Sequence, residues 1–234
     1  MTYDLLRRPD FRLAVQIDKA LGTARTVVNV GAGAGSYEPA ERDVTAVEPS
    51  AEMIRKRSIR SARAVQATAE ALPFPDKSFD AAMAVLTIHH WQDQEAGLRE
   101  MRRVSRGPVV IVTFDPASRP WLTDYLPQLA ELDERQMPPI DFYQRCLGEV
   151  SVEKLLVPHD CTDGFLYAFW RRPLAYLDPA LRKGSSSFWA LGKTLEPGLE
   201  RLRSDLAECI WHRRYDHLLT LDSYDVGYRI VIAG

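Results

Sequence analysis

Apolar residues in the first half of the chain occur as short runs that alternate with longer, mixed stretches. Five runs have the length and composition of buried strands: ARTVVNV, RDVTAVE, ARAVQA, FDAAMAVLTI and PVVIVTF. The spacing of apolar residues in 1–25, and the helix formers in PSAEMIRKRSIR and DQEAGLREMRRVSR, predict helices there. Near-continuous apolar strands that alternate with helices are typical of a parallel sheet covered on both faces.

The pattern changes after Asp115. Residues 116–150 are rich in proline and aromatic residues, which predicts an irregular, partly helical insertion, and VSVEKLLV (150–157) is a candidate sixth strand. Several helices are expected over residues 163–220, and VGYRIVIA at the end reads as a seventh strand. The helical stretch between the last two strands is too long for a hairpin loop, so we expect it to form a lid or a partner surface.

Composition and charge limit the cellular location and the classes of partner that we expect. A net charge of −2 argues against broad, charge-driven binding to nucleic acid or to an anionic membrane. No apolar stretch approaches the roughly 20 residues that span a bilayer, and the N-terminal MTYDLLRRPDFR lacks the apolar centre of a secretory signal. Three widely spaced cysteines are typical of reduced thiols. We therefore expect a cytoplasmic protein without a nucleic-acid or membrane partner; the sequence leaves its oligomeric state open.

Three glycines at alternate positions directly follow the first predicted strand, in VVNVGAGAGSYEP. Gly31, Gly33 and Gly35 indicate that something approaches the backbone closely, and ligands of parallel sheets bind at the carboxyl ends of strands. A dinucleotide requires G-x-G-x-x-G/A, and Ser36 occupies the sixth position here. The observed G-x-G-x-G resembles the first motif of class I S-adenosylmethionine-dependent methyltransferases, although a tight turn without a ligand would also use glycine.

Further residues extend this resemblance over roughly residues 26–114. Glu48 ends the second strand in TAVEPS, where the family carries an acidic residue that accepts hydrogen bonds from both ribose hydroxyls. Residues 67–91, ATAEALPFPDKSFDAAMAVLTIHHW, are similar to the adenine-side loop and fourth strand of the small-molecule branch that includes quinone-biosynthesis C-methyltransferases. The resemblance implies an α/β fold: a Rossmann-like, seven-stranded, mostly parallel sheet with helices on both faces and helical lid insertions.

The same resemblance implies one domain. Residues 1–115 would form the half that binds S-adenosylmethionine, together with the N-terminal helix. Residues 116–234 would complete the domain with the insertion, the last two strands and the lid.

The resemblance also implies a set of cofactor-binding residues. Gly31, Ala32 and Gly33 would line the methionine end, and Met53 would pack on the adenine unless it is an ordinary core residue. Ala69 would offer its backbone N–H to the adenine. The rest of the set is Tyr3 near the N-terminus, Glu48 and Pro49 after the second strand, Thr68 and Glu70 around Ala69, and Leu86 and Thr87 after the fourth strand. Tyr3 would contact the methionine end or belong to a frayed terminus.

Three departures from the family pattern concern the cofactor. Asn29 stands where the family usually has an acidic residue that orders the glycine loop, and Thr68 stands where an Asp often receives the adenine amino group. Only SYEPAER separates Gly35 from the second strand, which is too short for a full helix, so little helix dipole is expected there. These changes lower the expected affinity but leave the ribose contact and the backbone contacts in place.

The candidate catalytic residues are His89 and His90, in the sequence HHW after the fourth strand. A neutral imidazole can act as a general base near physiological pH, whereas packing roles for both rings are the alternative. His90 is preferred because it would share one side of an extended strand with Leu86 and Ile88. No metal is expected, because the sulfonium methyl group of S-adenosylmethionine is already activated.

The sequence therefore favours an enzyme that methylates a small organic metabolite at O, N or C. Aromatic residues of the second half would suit an aromatic substrate if some of them face the cofactor; they are Phe142, Tyr143, Phe165, Tyr167, Phe169, Trp170, Phe188 and Trp189. The alternative is a non-catalytic binding or assembly protein with the same fold, supported by Asn29 and the short helix. A nicotinamide reductase is disfavoured by Ser36.

Overall fold

The computed structural model describes residues 7–234, so the expectation for Tyr3 lies outside the described residues. The chain divides into two compact units. We call one the sheet unit (residues 11–115, 137–155 and 228–234) and the other the helical unit (residues 7–10, 116–136 and 156–227). The expectation that the two halves of the chain complete a single domain stays a prediction.

The strands and helices follow the sequence in this order. The strands are β1 Thr26–Val30, β2 Asp43–Val47, β3 Arg63–Val65, β4 Ala81–Val85, β5 Val109–Phe114, β6 Val150–Lys154, β7 Val157–Pro158, β8 Ser223–Tyr224 and β9 Tyr228–Ala233. The described helices are α1 Phe11–Ala20, α2 Ala51–Lys56, α3 Gln94–Val104, α4 Leu122–Tyr125, α5 Pro127–Gln136, α6 Ile140–Leu147, α7 Pro179–Arg182, α8 Ser186–Leu191, α9 Glu196–Ala207 and α10 Ile210–Arg214.

The sheet unit contains a seven-stranded sheet in the order β3-β2-β1-β4-β5-β9-β6. The first five of these strands pair in parallel, and β9 runs antiparallel to both of its neighbours. The central strands β1, β4 and β5 are almost completely buried, because apolar side chains on both of their faces are covered. This is the Rossmann-like fold expected from the sequence.

Helices cover both faces of this sheet. On one face, Leu98 and Met101 of α3 and Tyr143 of α6 join the buried cluster of Val28 and Ile111. On the other, α1 packs against β5 and β9. Helix α3 begins at Asp93, whose side chain accepts a hydrogen bond from the backbone N–H of Ala96 at 2.9 Å, as an N-cap should.

The helical unit has its own core of aromatic side chains. The ring of Trp121 makes edge contacts with Tyr125, Tyr176 and Trp211 at centroid distances of 6.0, 5.6 and 5.1 Å. Most of the aromatic residues that would suit a substrate if some of them faced the cofactor are buried. Phe165, Tyr167, Trp170 and Phe188 belong to the helical unit and Tyr143 to the sheet unit, whereas Trp189 is exposed. Among residues 7–234, no helix combines the length and apolar character needed to cross a bilayer.

The fourth strand and helix α2 are shorter than the sequence suggested, and so is the sixth strand, which was expected over residues 150–157 and ends at Lys154. Extended backbone in the fourth strand ends at Val85 rather than at Ile88, because Leu86 has a φ of +51° and Ile88–His90 form a 3-10 turn. Helix α2 ends at Lys56 instead of continuing to residue 60, since Arg57 takes an extended conformation (φ −65°, ψ 139°). Leu86 lies at the carboxyl end of β4, and Arg57 donates a hydrogen bond to the carbonyl oxygen of Gly33 in the loop after β1, so the changes at β4 and α2 both affect the candidate site.

Candidate active site

The loop of residues 31–35, which we call the cofactor loop, follows β1 and is tied to the end of β2. The backbone N–H groups of Gly31 and Ala32 both donate to the carbonyl oxygen of Val47, at 2.9 and 3.0 Å. Gly31, Gly33 and Gly35 have φ values of +71°, +52° and +99°, in the region that side chains disfavour. Backbone conformation thus favours glycine at all three positions.

Glu48 lies directly beneath this loop, after β2. The residue is buried, and its carboxylate accepts hydrogen bonds from the backbone N–H of Gly33 at 2.8 Å and of Ser50 at 2.9 Å. These two bonds use one oxygen each, so each oxygen keeps a lone pair for a further donor. A carboxylate fixed in this way fits the two adjacent hydroxyls of a ribose.

Met53 and Pro49 flank this carboxylate. A Cβ built at Gly33 would lie 3.5 Å from the Cε atom of Met53, so the half-buried thioether packs against the cofactor loop. The ring of Pro49 is exposed, and its carbonyl oxygen accepts a hydrogen bond from the Gln66 side chain at 3.0 Å. The structure thus brings Gly33, Glu48 and Met53 together.

The loop after β3 is joined to the loop after β4 by Glu70. Its carboxylate accepts hydrogen bonds from the backbone N–H groups of Gln92 and Asp93 at 2.9 and 3.2 Å. Burial acts to raise the pKa of Glu70, but hydrogen bonds from the backbone and from the hydroxyl of Thr68 outweigh burial and lower it. Thr68 is exposed, whereas Ala69 is buried. Glu70 therefore ties the loop after β3 to the loop after β4.

Leu86 and Thr87 turn the chain at the end of β4. The positive φ of Leu86 is unusual for a side chain of this size and marks a strained position next to the cofactor loop. The Thr87 side chain is buried against Gly31. Thr87 therefore lies beside the first glycine of the loop. The expectation that Leu86 and Thr87 flank the amino-acid part of the cofactor stays a prediction.

The rings of the two histidines are in contact at the end of the 3-10 turn, with centroids 3.9 Å apart and planes tilted by 49°. His90 is open to solvent and His89 is half-buried. Protein atoms around the exposed His90 ring partly desolvate it, which lowers its pKa, while the negative charge of Glu48 acts in the opposite direction. The argument that His90 shares a strand face with Leu86 and Ile88 was wrong, because extended geometry ends before all three residues.

Sequence reasoning missed two residues of this site, Glu38 and Arg57. Asn29 is buried and donates from Nδ2 to Oε1 of Glu38 at 3.3 Å, and the same oxygen accepts from Arg57 at 2.5 Å. A carboxylate therefore lies next to Asn29 although none stands at that position in the sequence. The missing acid at position 29 was a signal to search for a nearby carboxylate, and SYEPAER contains one only nine residues later.

Within residues 7–234, no group of three or more His, Cys, Asp or Glu side chains is arranged to hold a metal ion. A family model described as a methyltransferase domain matches residues 28–111. A crystal structure from Anabaena variabilis, described as a methyltransferase from an antibiotic biosynthesis pathway, is 36% identical with a TM-score of 0.85; the match covers 98% of this chain and 99% of that one. The chain belongs to the class I S-adenosylmethionine-dependent methyltransferases.

More distant methyltransferases match parts of the chain. A ubiquinone/menaquinone biosynthesis C-methyltransferase of Xanthomonas campestris is 37% identical over 110 residues, which are 37% of this chain and 44% of the relative. Matches to curated relatives thus span less than half of the relatives' length. A geranyl diphosphate C-methyltransferase of Streptomyces coelicolor, solved with S-adenosyl-L-homocysteine, shares the fold at 17% identity and a TM-score of 0.53, over 94% of this chain and 77% of that one.

S-adenosylmethionine is the cofactor of this methyltransferase family, and the residues present fit it. The carboxylate of Glu48 retains acceptor capacity toward ribose hydroxyls, and the left-handed glycines expose backbone at the end of β1. Met53 adds an apolar surface beside Gly33. The donor and acceptor set of this methyltransferase site therefore agrees with the cofactor.

Proposed function

We propose that this methyltransferase transfers the methyl group of S-adenosylmethionine to an O, N or C atom of a small organic metabolite. The observation that carries the proposal is the buried carboxylate of Glu48 at the end of β2, which accepts hydrogen bonds from the backbone N–H groups of Gly33 and Ser50. Its negative charge also acts to raise the pKa of His90, an exposed residue after β4. We infer that cofactor binding and a titratable group meet at this edge of the sheet.

When bound, S-adenosylmethionine supplies an electrophilic methyl group on a sulfonium, whose leaving group is a neutral thioether. The protein then has to hold the cofactor, align the acceptor and exclude water. Glu48 would hold the ribose, Gly33 and Met53 would line the cofactor, and His90 would accept a proton at Nδ1 or Nε2 from an acceptor that must lose one. A lowered pKa keeps the His90 ring neutral, which is the form a base requires.

The substrate class follows from the relatives as a proposal. One similar structure is described as part of an antibiotic biosynthesis pathway, and similar sequences are named for quinone biosynthesis. We infer that the acceptor is a small biosynthetic intermediate, and aromatic or quinone-like compounds are one class to test. We also propose that the protein acts in the cytoplasm.

A non-catalytic role had two supports in the sequence. The first was the missing acid at Asn29, and the carboxylate of Glu38 now lies within hydrogen-bond distance of that residue. The second was the short connection after Gly35, which is indeed formed by turns without a helix. Because the loop is nevertheless held by Arg57, Glu48 and Val47, the catalytic proposal is favoured.

Calorimetric titration with S-adenosylmethionine and with its demethylated product tests the proposal. We expect both to bind, and methyl-labelled cofactor to transfer its label to at least one member of a panel of phenols, quinols, amines and carboxylates. Glu48→Ala serves as the variant that should lose binding, and Glu52→Gln, an exposed residue of α2, serves as its matched control. Failure of both compounds to bind to the wild-type protein would overturn the proposal.

A further inference from the structure

A buried ion pair lies beneath the cofactor loop (residues 31–35), and the glycine motif does not include it. We propose that Glu38 and Arg57 are positioning residues that hold this loop in the geometry that binds S-adenosylmethionine. The inference rests on the proposed function, because it concerns the same cofactor site. It assigns to two residues outside the motif a role in affinity for the cofactor.

Arg57 connects three parts of the sheet unit through one guanidinium group. It donates to the carbonyl oxygen of Gly33 at 3.0 Å, to that of Ala62 at 3.0 Å and to Oε1 of Glu38 at 2.5 Å. Only 5% of its side chain is exposed. The backbone N–H of Gly33 donates to Glu48, and its carbonyl oxygen accepts from Arg57. Both hydrogen-bonding groups of this glycine are therefore held by charged side chains.

Glu38 closes the same network from the turn that follows the cofactor loop. Its Oε2 accepts from the backbone N–H of Ala62 at 3.0 Å, and its Oε1 accepts from Asn29 and Arg57. The side chain is 8% exposed. A carboxylate only accepts, so the contact fixes Nδ2 of Asn29 toward Glu38 and leaves the amide oxygen as an acceptor.

The third glycine of the motif makes room for this pair. A Cβ at Gly35 would lie 2.9 Å from Oγ of Ser61 and 3.3 Å from Oε2 of Glu38. Any side chain there would therefore push against the residues that surround the carboxylate. Gly35 therefore leaves space for Ser61 and Glu38, whereas Gly33 faces Met53.

The pair is poorly explained by stability alone. A buried ion pair is often no more stabilising than well-packed apolar residues of the same volume. In addition, the Nε–H group of Arg57 is buried without an acceptor among residues 7–234. The fixed fork of the guanidinium does, however, hold two carbonyl groups at a set separation, which an apolar side chain cannot do. Preorganising a loop in this way lowers the cost of ordering it when a ligand binds.

The test measures affinity for S-adenosylhomocysteine in the full-length protein. We expect Arg57→Met to raise Kd by about 10–100-fold, since the loop must then be ordered on binding. Arg42→Met is the matched control: Arg42 is also nearly buried and binds an Asp18 carboxylate and the carbonyl groups of Asp18, Gly22 and Ala24, but at a different turn of the sheet unit. It should lower thermal stability and change Kd by less than about threefold.

A double variant separates positioning from folding. In Glu38→Gln/Arg57→Met no buried charge is left alone, so thermal stability should recover toward the wild type while Kd stays raised. Amide hydrogen exchange of residues 31–35, measured without cofactor, should be faster in both Arg57→Met and the double variant but not in Arg42→Met. If wild-type Kd and exchange are retained in the double variant, the positioning role is wrong. If the wild-type protein binds no cofactor, the proposed function is wrong instead, and the exchange data still decide this inference.

Discussion

The hydroxyl oxygen of Thr87 lies 2.2 Å from the place where a Cβ of Gly31 would stand. Two further atoms of the same side chain lie within 2.9 Å of it. Glycine at the first position of the motif is therefore explained by a contact inside the protein, between the end of β1 and the end of β4. Leu86, in its left-handed conformation, directly precedes Thr87 in this turn. The close approach that the sequence predicted is real, but at Gly31 the approaching group belongs to the chain itself.

Gly31→Ala and Gly33→Ala should consequently differ in their effect on stability. Gly31→Ala adds a collision with Thr87 to an unfavourable φ, so we expect the free energy of unfolding to fall by about 2–4 kcal/mol. Gly33→Ala meets only Met53, at an ordinary 3.5 Å, and should lose about 1 kcal/mol from its positive φ. Urea denaturation measures both. Gly31→Ala/Thr87→Gly should remove the collision, and equal losses for the two single variants would contradict this account.

Glu48→Ala should weaken binding of S-adenosylmethionine by about 10–100-fold, or about 1.5–3 kcal/mol, because charge-assisted hydrogen bonds to the ribose are lost. Calorimetry on a folded variant measures the change. The variant also leaves the N–H groups of Gly33 and Ser50 without their acceptor, so circular dichroism must show native structure first. An unchanged dissociation constant would mean that the ribose is held elsewhere.

The sequence was sufficient for the sheet because its signals are local. β1, β4 and β5 are apolar on both faces, and their parallel direction follows from the alternation of strands and helices. The end of α2 was not predictable in this way. Arg57 belongs to a run of good helix formers, yet it leaves the helix and binds Glu38, 19 residues earlier in the chain. A contact of this range overrides local helix propensity.

The same limit applies to the candidate site. Glu48 could be predicted from its place at the end of a strand, and its backbone partners lie nearby in the sequence. His89 and His90 instead follow Leu86, whose positive φ ends the extended strand. A positive φ at a leucine could not be predicted from the local sequence. Glu70 is a third case. Its place in the sequence suggested that it lies near the adenine, and in the structure its carboxylate accepts hydrogen bonds from residues 92 and 93.

Asp133 should make the helical unit less stable as pH rises. The residue is buried with 4% of its surface exposed, and it accepts a hydrogen bond from the hydroxyl of Tyr167 at 2.6 Å. Burial raises its pKa to about 6, against the opposing effects of Tyr167 and of the Arg119 charge. Between an unfolded pKa of about 3.9 and this folded value, the folded state binds more protons, so stability falls with increasing pH.

The variant Asp133→Asn tests this linkage. Relative to the variant, the wild-type protein should lose on the order of 2–3 kcal/mol of unfolding free energy between pH 4 and pH 7. The four tryptophans of the helical unit, at positions 121, 170, 189 and 211, report its unfolding in urea. Glu134→Gln is the matched control, because Glu134 is a neighbouring exposed carboxylate. Parallel pH profiles for wild type and Asp133→Asn would show that Asp133 does not titrate as inferred.

His90 carries the prediction that concerns chemistry directly. If His90 is the general base, His90→Asn should lose roughly 10²–10⁴-fold in turnover with little change in cofactor affinity. Because burial lowers the pKa of the ring, the acid limb of kcat/KM in the wild type should lie below the ordinary histidine value of about 6.5. The limb should vanish in His90→Asn and persist in His89→Asn.

Glu48 offers an independent check on that assignment. Its negative charge raises the pKa of His90, so Glu48→Gln should move the acid limb to still lower pH when the cofactor is saturating. A limb that stays in place would place the titrating group away from Glu48. If the limb disappears in His89→Asn instead, His89 is the base. If neither single variant alters the profile and both keep their turnover, the acceptor already carries a neutral nucleophile, for which alignment with the methyl group is sufficient.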